Sequence, residues 1–156
     1  MENNVDDMNL SIREANINDI DKGLLEVFIE GYRYHQNGRP DIFANLSDEE
    51  LKNELIQRFD KLTTIVILDG DNIVGHLSYI IKKRKTGKLD VDELVILERY
   101  RGKGLGKKLM DEAKRIAKEN GCNRIELNCW LFNENALEMY EHIGYKRQRI
   151  IYEMKL

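Results

Sequence analysis

The sequence predicts a single α/β domain built on a mixed central sheet of about six to seven strands, a layered arrangement for alternating elements. Three observations carry that expectation. Strand-like and helix-like segments follow one another in the order strand, two helices, three strands, helix, strand, helix and closing strands. The run Leu94-Val95-Ile96-Leu97 is apolar on both parities, as in a strand covered on two faces, and leads through a glycine-rich turn into a helix carrying Leu105, Leu109, Ala113, Ile116 and Ala117. The chain of 156 residues suits one hydrophobic core, and no repeat, linker or low-complexity stretch divides it. Residues 1–9 are expected to form a short tail and residues 10–156 the domain.

Leu10 to Ala15 alternates as a first strand, and Asn16 or Asn18 can cap a helix presenting Ile20, Leu24, Leu25, Val27, Phe28 and Tyr32 on one side. Tyr34 to Phe43, with Gly38 and the only proline, Pro40, is expected to be a loop. His35, Arg39 and Asp41 on it are candidates to face a ligand, although an Arg–Asp pair and a lone His serve equally as local surface structure. Ser47-Asp48-Glu49-Glu50 forms a capping box for a second helix reaching about Phe59.

Thr63 to Leu68 and Asn72 to Ile81 flank Asp69-Gly70-Asp71 and form a hairpin, and a turn around Gly87 leads into the next strand. That strand changes phase. Leu89 and Val91 share one parity, whereas Leu94 and Ile96 share the other with Asp90 and Asp92, which implies a β-bulge near Asp92 and Glu93. The helix after the glycines ends at Asn120-Gly121. Arg124 to Leu131 alternates as a strand, Asn133 caps the last helix, and Lys146 to Leu156 is expected to complete the sheet with Ile150, Tyr152 and Met154 on one side.

Composition narrows the function classes. No apolar run is long enough to cross a bilayer, and Met1-Glu-Asn-Asn-Val-Asp-Asp lacks the basic start and apolar centre of a signal peptide, so a cytoplasmic protein is expected. Cys122 and Cys129 have neither metal nor redox spacing and read as buried free thiols. A net charge of −3 argues against a nucleic-acid partner. Locally the balance reverses, because Arg99, Arg101, Lys103, Lys107 and Lys108 crowd the glycine turn, as a solvated face or as a polyanion site.

The turn itself, Arg101-Gly102-Lys103-Gly104-Leu105-Gly106, has the layout of an anion site: glycines admit a ligand close to backbone N–H groups, and the following helix presents its positive dipole end. It is not a P-loop, since Gly102 and Gly106 are only four apart and no Ser or Thr follows Lys107 for magnesium. Nor is it a dinucleotide fingerprint, whose glycines fall as G-x-G-x-x-G. The R/Q-x-x-G-x-G/A spacing resembles that of the GNAT superfamily of acyl-CoA-dependent N-acyltransferases. A second stretch, Asn133-Glu-Asn-Ala136-Leu-Glu-Met-Tyr140-Glu-His-Ile-Gly144-Tyr145, is similar to that family's N-x-x-A-x-x-x-Y-x-x-x-G-F/Y signature, and it follows in the right order.

The resemblance extends over residues 10–156 and implies a GNAT-like fold, with helices on both faces and a splayed pair of strands holding the coenzyme. It implies acetyl-CoA as cosubstrate and no metal. Arg101, Gly102, Lys103, Gly104, Leu105, Gly106 and Lys107 would hold the pyrophosphate, and Leu94, Val95 and Ile96 would pair with pantetheine amides. Asn133 and Ala136 would meet the coenzyme at the last helix, Asn133 as its cap and Ala136 as a small residue permitting close approach. The chemistry implied is direct transfer of acetyl to a primary amine in a ternary complex, since no convincing nucleophile accompanies Cys129.

An amine of pKa about 10.4 is mostly protonated near neutrality, a deficit of roughly 4 kcal/mol, so a base or water chain must take its proton. Asp90 and Asp92 are the candidates, Asp90 matching by offset the place where some family members carry a glutamate base, and either reads equally as a solvated acid at a strand start. Tyr140 would protonate the departing thiolate while N–H of Val95 or Ile96 stabilises the oxyanion. A cationic acceptor, a small amine or a peptide amine, is expected from Asp41, Asp90, Asp92 and Glu93. The rival is a non-catalytic acyl-CoA-binding regulatory domain, which would not need Tyr140. No membrane partner is expected, and the sequence leaves monomer or homodimer open.

Overall fold

The computed structural model describes residues 7–156, so Met1 to Asp6 of the expected tail lie outside the described residues. Five strands form one sheet in the order β1 (Leu10–Glu14), β2 (Thr63–Asp69), β3 (Asn72–Lys82), β4 (Gly87–Ile96) and β5 (Cys122–Leu127). Neighbours among the first four run antiparallel and β5 runs parallel to β4, as expected for a mixed sheet. Its core strands are β-branched and leucine-rich: Ile65, Val66, Ile67, Leu68, Ile73, Val74 and Leu77 are buried across both faces.

Helices cover both faces. Helices α1 (Leu24–Gly38) and α2 (Asp48–Phe59) bury Leu24, Val27, Phe28, Leu51 and Leu55 against Val66, Leu68, Ile73 and Val95. On the other face α3 (Leu105–Glu119) sets Leu105, Leu109, Met110, Ala113 and Ile116 against Ile65, Ile67, Leu77, Leu89 and Val91, with α4 (Glu134–His142) at the margin. Each Leu or Ile removed from water in this way contributes about 1.5–3 kcal/mol. Among the described residues no helix is long and apolar enough to cross a membrane.

The local signals behave as their chemistry dictates. Ser47 and Glu50 form the capping box of α2, Ser47 Oγ accepting from Glu50 N at 3.2 Å and Glu50 Oε2 from Ser47 N at 2.7 Å. Asn16 caps as expected, but the predicted first helix is split. A 3₁₀ helix, Ile17–Lys22, ends at left-handed Gly23 (φ 118°), where α1 begins. Buried Asp19 fixes this entry by accepting from Asn16 N and from both terminal nitrogens of Arg13 at 2.8 and 2.9 Å.

Four expectations need correction. The loop predicted from Tyr34 begins only after Gly38, so Tyr34 and His35 lie on α1. Gly38 serves close packing there, since a Cβ would come within 2.3 Å of the Phe132 ring, and Pro40 follows the helix end. Strand β5 stops at Leu127 instead of Leu131. The thiols of Cys122 and Cys129 are free but only half-buried. Among the described residues the sheet has five strands, fewer than expected, because residues 146–156 take no part in it: Ile150, Tyr152 and Met154 are exposed. Their alternation is that of a strand, but among the described residues no element covers its apolar side.

Candidate functional site

The bulge sits where the phase change predicts it. Ser78 pairs with Glu93 and Tyr79 with Val91, leaving Asp92 as the extra residue. On its other side β4 pairs with β5 only from Gly87 to Val91, opposite Leu127. Beyond that point the strands part, and Leu94, Val95 and Ile96 present an edge paired to β3 alone. This opening belongs to a cleft of about 910 Å³ lined by α1, the end of α2, the glycine turn, α3 and α4.

The glycine turn lines one part of it. Gly102 (φ 73°) and Gly104 (φ 77°) are both left-handed, and a Cβ at either would meet no neighbour within 4 Å. Gly104 is the N-cap of α3 and supplies no side-chain cap, so the first N–H groups of the helix are left to a ligand or solvent. These residues fit an anionic group: open glycine backbone and a helix N-terminus in one wall. Arg101 anchors the turn to the strand, its Nε donating to the Ile96 carbonyl at 2.9 Å, and its guanidinium lies 5.7 Å from the Tyr34 ring. Lys107 lines the cleft and pairs with Asp111 at 2.7 Å, whereas Lys103 is not among the lining residues.

Helix α4 adds Asn133, Ala136 and Tyr140. Asn133 Oδ1 accepts from Ala136 N at 3.4 Å and from the Tyr34 hydroxyl at 3.3 Å, tying the start of α4 to α1. Gly106 lets α3 approach α4, because a Cβ there would lie 2.9 Å from Met139 Sδ. Burial pushes the Tyr140 hydroxyl far above the ordinary phenol value, so it stays protonated and able to donate. Burial also raises the Cys129 thiol, which keeps it a poor nucleophile although it lines the cleft.

The remaining wall combines acids and aromatic rings. Asp92 is ion-paired with Arg58 from the end of α2, and Arg58 lies 5.4 Å over Phe28. Partial desolvation raises Asp92 above its ordinary value despite Arg58, with Glu93 and Asp90 adding to the rise. Glu93 goes the other way: burial pushes it up, but its hydrogen bond with His76 Nε2 (3.2 Å) and the charge of Arg58 hold it below the ordinary value. Tyr34, His35, Phe43 and Trp130 line the same region. His35 Nδ1 lies 2.8 Å from the Gly31 carbonyl, and its ring meets that of Phe43 at 5.7 Å.

Three further sequence candidates lie elsewhere. Asp90, suggested as a base, is held by Lys82 at 2.6 Å and Lys88 at 3.6 Å and does not line the cleft, because on the near side of the bulge it has the register of the paired half of β4. Arg39 and Asp41 pair with each other at 2.9 Å, Arg39 also with Glu153 and over Trp130, and neither lines the cleft. Conversely, Glu54, Arg58, Tyr34 and Trp130 were not read as site residues. Only Gly31 carried a signal, a glycine within an apolar helical stripe, which marks the close approach of α1 to Val95 and Glu93.

Residues 28–145 match the model of the acetyltransferase (GNAT) family. Glucosamine 6-phosphate N-acetyltransferase 1 of Dictyostelium discoideum is 28% identical over 152 residues, covering 94% of this chain and 90% of that protein. GCN5-related N-acetyltransferase 4, chloroplastic, of Arabidopsis thaliana is 34% identical over 86 residues, 54% of this chain but only 30% of that protein. An integron cassette protein from the mobile metagenome of V. cholerae superposes with a TM-score of 0.79 at 25% identity, over 95% of this chain and 93% of its own. With a family model spanning most of the sequence, and both signature stretches facing one cleft at the parted strands, the chain belongs to the GNAT acetyltransferase family.

Proposed function

We propose that this chain is an N-acetyltransferase that moves acetyl from acetyl-CoA to a primary amine by direct attack, with no acyl-enzyme. The observation that carries the reading is the meeting, in one cleft, of the open β4 edge at Leu94–Ile96, the unsatisfied N-terminus of α3 and the protonated hydroxyl of Tyr140. The coenzyme pyrophosphate rests on backbone N–H groups from Gly102 to Lys107, and its pantetheine arm pairs with the β4 edge. Asp92 takes a proton from the acceptor ammonium, directly or through water, and its proton affinity is raised above that of an ordinary aspartate. The amine nitrogen bonds to the thioester carbon, the oxyanion is held by N–H of Val95 or Ile96, and Tyr140 gives its proton to the thiolate as the carbon–sulfur bond breaks.

The acceptor is cationic, because Glu54, Asp92 and Glu93 outnumber Arg58 on its side of the cleft, while the aromatic rings accommodate an apolar body beside the charge. Two measurements test the reading. Acetyl-CoA should raise the thermal midpoint where ATP and NAD do not. Screening polyamines, amino-sugar phosphates and peptide amines for release of free thiol should then find turnover with a cationic amine. Binding without thiol release from any amine would replace the enzyme by the regulatory acyl-CoA-binding domain. Preference for a neutral or anionic acceptor at low ionic strength would remove the charge argument alone.

A further inference from the structure

Two neighbouring carboxylates, Asp92 and Glu93, reach the cleft from the bulge, and they are held differently. Asp92 is ion-paired with Arg58 alone among the described residues. Glu93 is gripped from behind: its Oε2 lies 3.2 Å from His76 Nε2 and 3.5 Å from the Arg58 guanidinium, while its Oε1 accepts no hydrogen bond from the described residues. That oxygen faces Gly31 of α1, where a Cβ would stand 3.4 Å away, and Gly31 and Glu93 both line the cleft. A glycine here leaves Oε1 within reach of a ligand.

His76 supplies that grip from within β3. Its side chain is 2% exposed, its ring lies 6.4 Å from that of Phe28, and its Nδ1 is buried with no hydrogen-bond partner among the described residues. A buried imidazole that only joins elements normally has both nitrogens satisfied, so one orphaned nitrogen opposite one aimed at a cleft carboxylate marks a ring kept for that carboxylate. An ionised carboxylate can only accept, which puts a proton on Nε2. The two acids thereby diverge: partial desolvation raises Asp92, whereas Glu93, which burial alone would raise, is held ionised by its hydrogen bond with His76 and the charge of Arg58. We propose that Glu93 Oε1 binds the acceptor's ammonium by a charge-assisted hydrogen bond, and that His76 is the positioning residue that keeps this oxygen turned to the cleft. Within the N-acetyltransferase reading, on which this role rests, a primary ammonium has donors for both acids at once. Glu93 anchors the nitrogen, Asp92 takes one of its protons, and none is transferred to Glu93.

Thiol-release kinetics with spermidine, benzylamine, glucosamine 6-phosphate and an alanine-initiated peptide test this, the acceptor that the native chain turns over fastest serving for the variants. Glu93→Gln, isosteric but uncharged, should raise the acceptor KM by about tenfold or more, with a smaller effect on kcat and unchanged acetyl-CoA affinity by calorimetry. His76→Leu should give the same split, and His76→Gln, whose amide keeps an N–H toward Oε2, should restore most of the acceptor KM. A His76 that only packs would lower the thermal midpoint in its variants and leave that KM in place. An unchanged acceptor KM in folded Glu93→Gln overturns the anchor, and an unchanged one in His76→Leu overturns the positioning role. Nitrogen-15 spectra of the native imidazole read the contact without a variant: Nε2 should carry a proton, and an unprotonated Nε2 also overturns the positioning role. No thiol release from the native chain with any of the four amines would instead remove the catalytic reading, and the roles of Glu93 and His76 with it.

Discussion

Arg58 from the end of α2 is ion-paired with Asp92, the bulge residue of β4 that is skipped in the pairing with β3, so the bulge delivers a carboxylate to the cleft and α2 supplies its counter-charge. Glu93 stands beside it with His76, Asp90 lies two residues back, and Glu54 lines the same cleft.

That relationship makes a pH prediction whose sign can be worked out. Asp92 as base must be ionised, so activity falls on the acid side as Asp92 is protonated, at a higher pH than for an ordinary aspartate because partial desolvation raises it. Arg58 opposes that rise. Replacing it in Arg58→Met should move the acid limb of kcat/KM to higher pH, and Asp92→Asn should abolish the limb while lowering turnover. Profiles of the native chain and both variants check this, and a limb unmoved by either assigns the proton to another group.

At Gly104 the backbone is left-handed, a conformation that a β-branched residue adopts only with strain, and its surroundings are open. Gly104→Val should therefore lower acetyl-CoA affinity by about tenfold or more, through loss of backbone approach to the pyrophosphate. Lys103→Ala should have a smaller effect. Calorimetric titration of both variants decides it, and unchanged affinity in a folded Gly104→Val refutes the loop assignment.

Tyr140→Phe keeps the ring against Tyr145, 6.0 Å between centroids, and removes only the hydroxyl. If that hydroxyl protonates the thiolate, turnover should drop by roughly a hundredfold with coenzyme affinity little changed. Full turnover in the folded variant would mean that water or the acceptor supplies the proton.

Gly31→Ala tests how α1 is seated. Its Cβ would lie 2.5 Å from Val95 Cγ2, on a stiff side chain of a buried strand. Overpacking of this kind costs about 1–3 kcal/mol, against a gain of about 1 kcal/mol in helix propensity. Urea denaturation should show a net loss, and in the double variant with Val95→Ala the cost should be smaller than the sum of the two singles.

Much of this architecture was legible in residue order because its causes are local. Capping at Asn16, Ser47 and Asn133, the hairpin at Gly70, the left-handed glycines of the anion turn and the phase change at Asp92 each depend on neighbours a few residues away. The two signature stretches were equally plain, since spacing along a helix or turn is a property of sequence. What tertiary structure alone decided is which side chains share the cleft. Arg58 meets Asp92 across 34 positions and the Tyr34 hydroxyl meets Asn133 across 99, pairings set by how α1 and α2 pack on the sheet. The same packing left Asp90 with Lys82 and Lys88, and Arg39 with Asp41 and Glu153. It also left the last apolar strand outside the sheet: alternation specifies that Ile150, Tyr152 and Met154 need a covering face, but not which edge provides it.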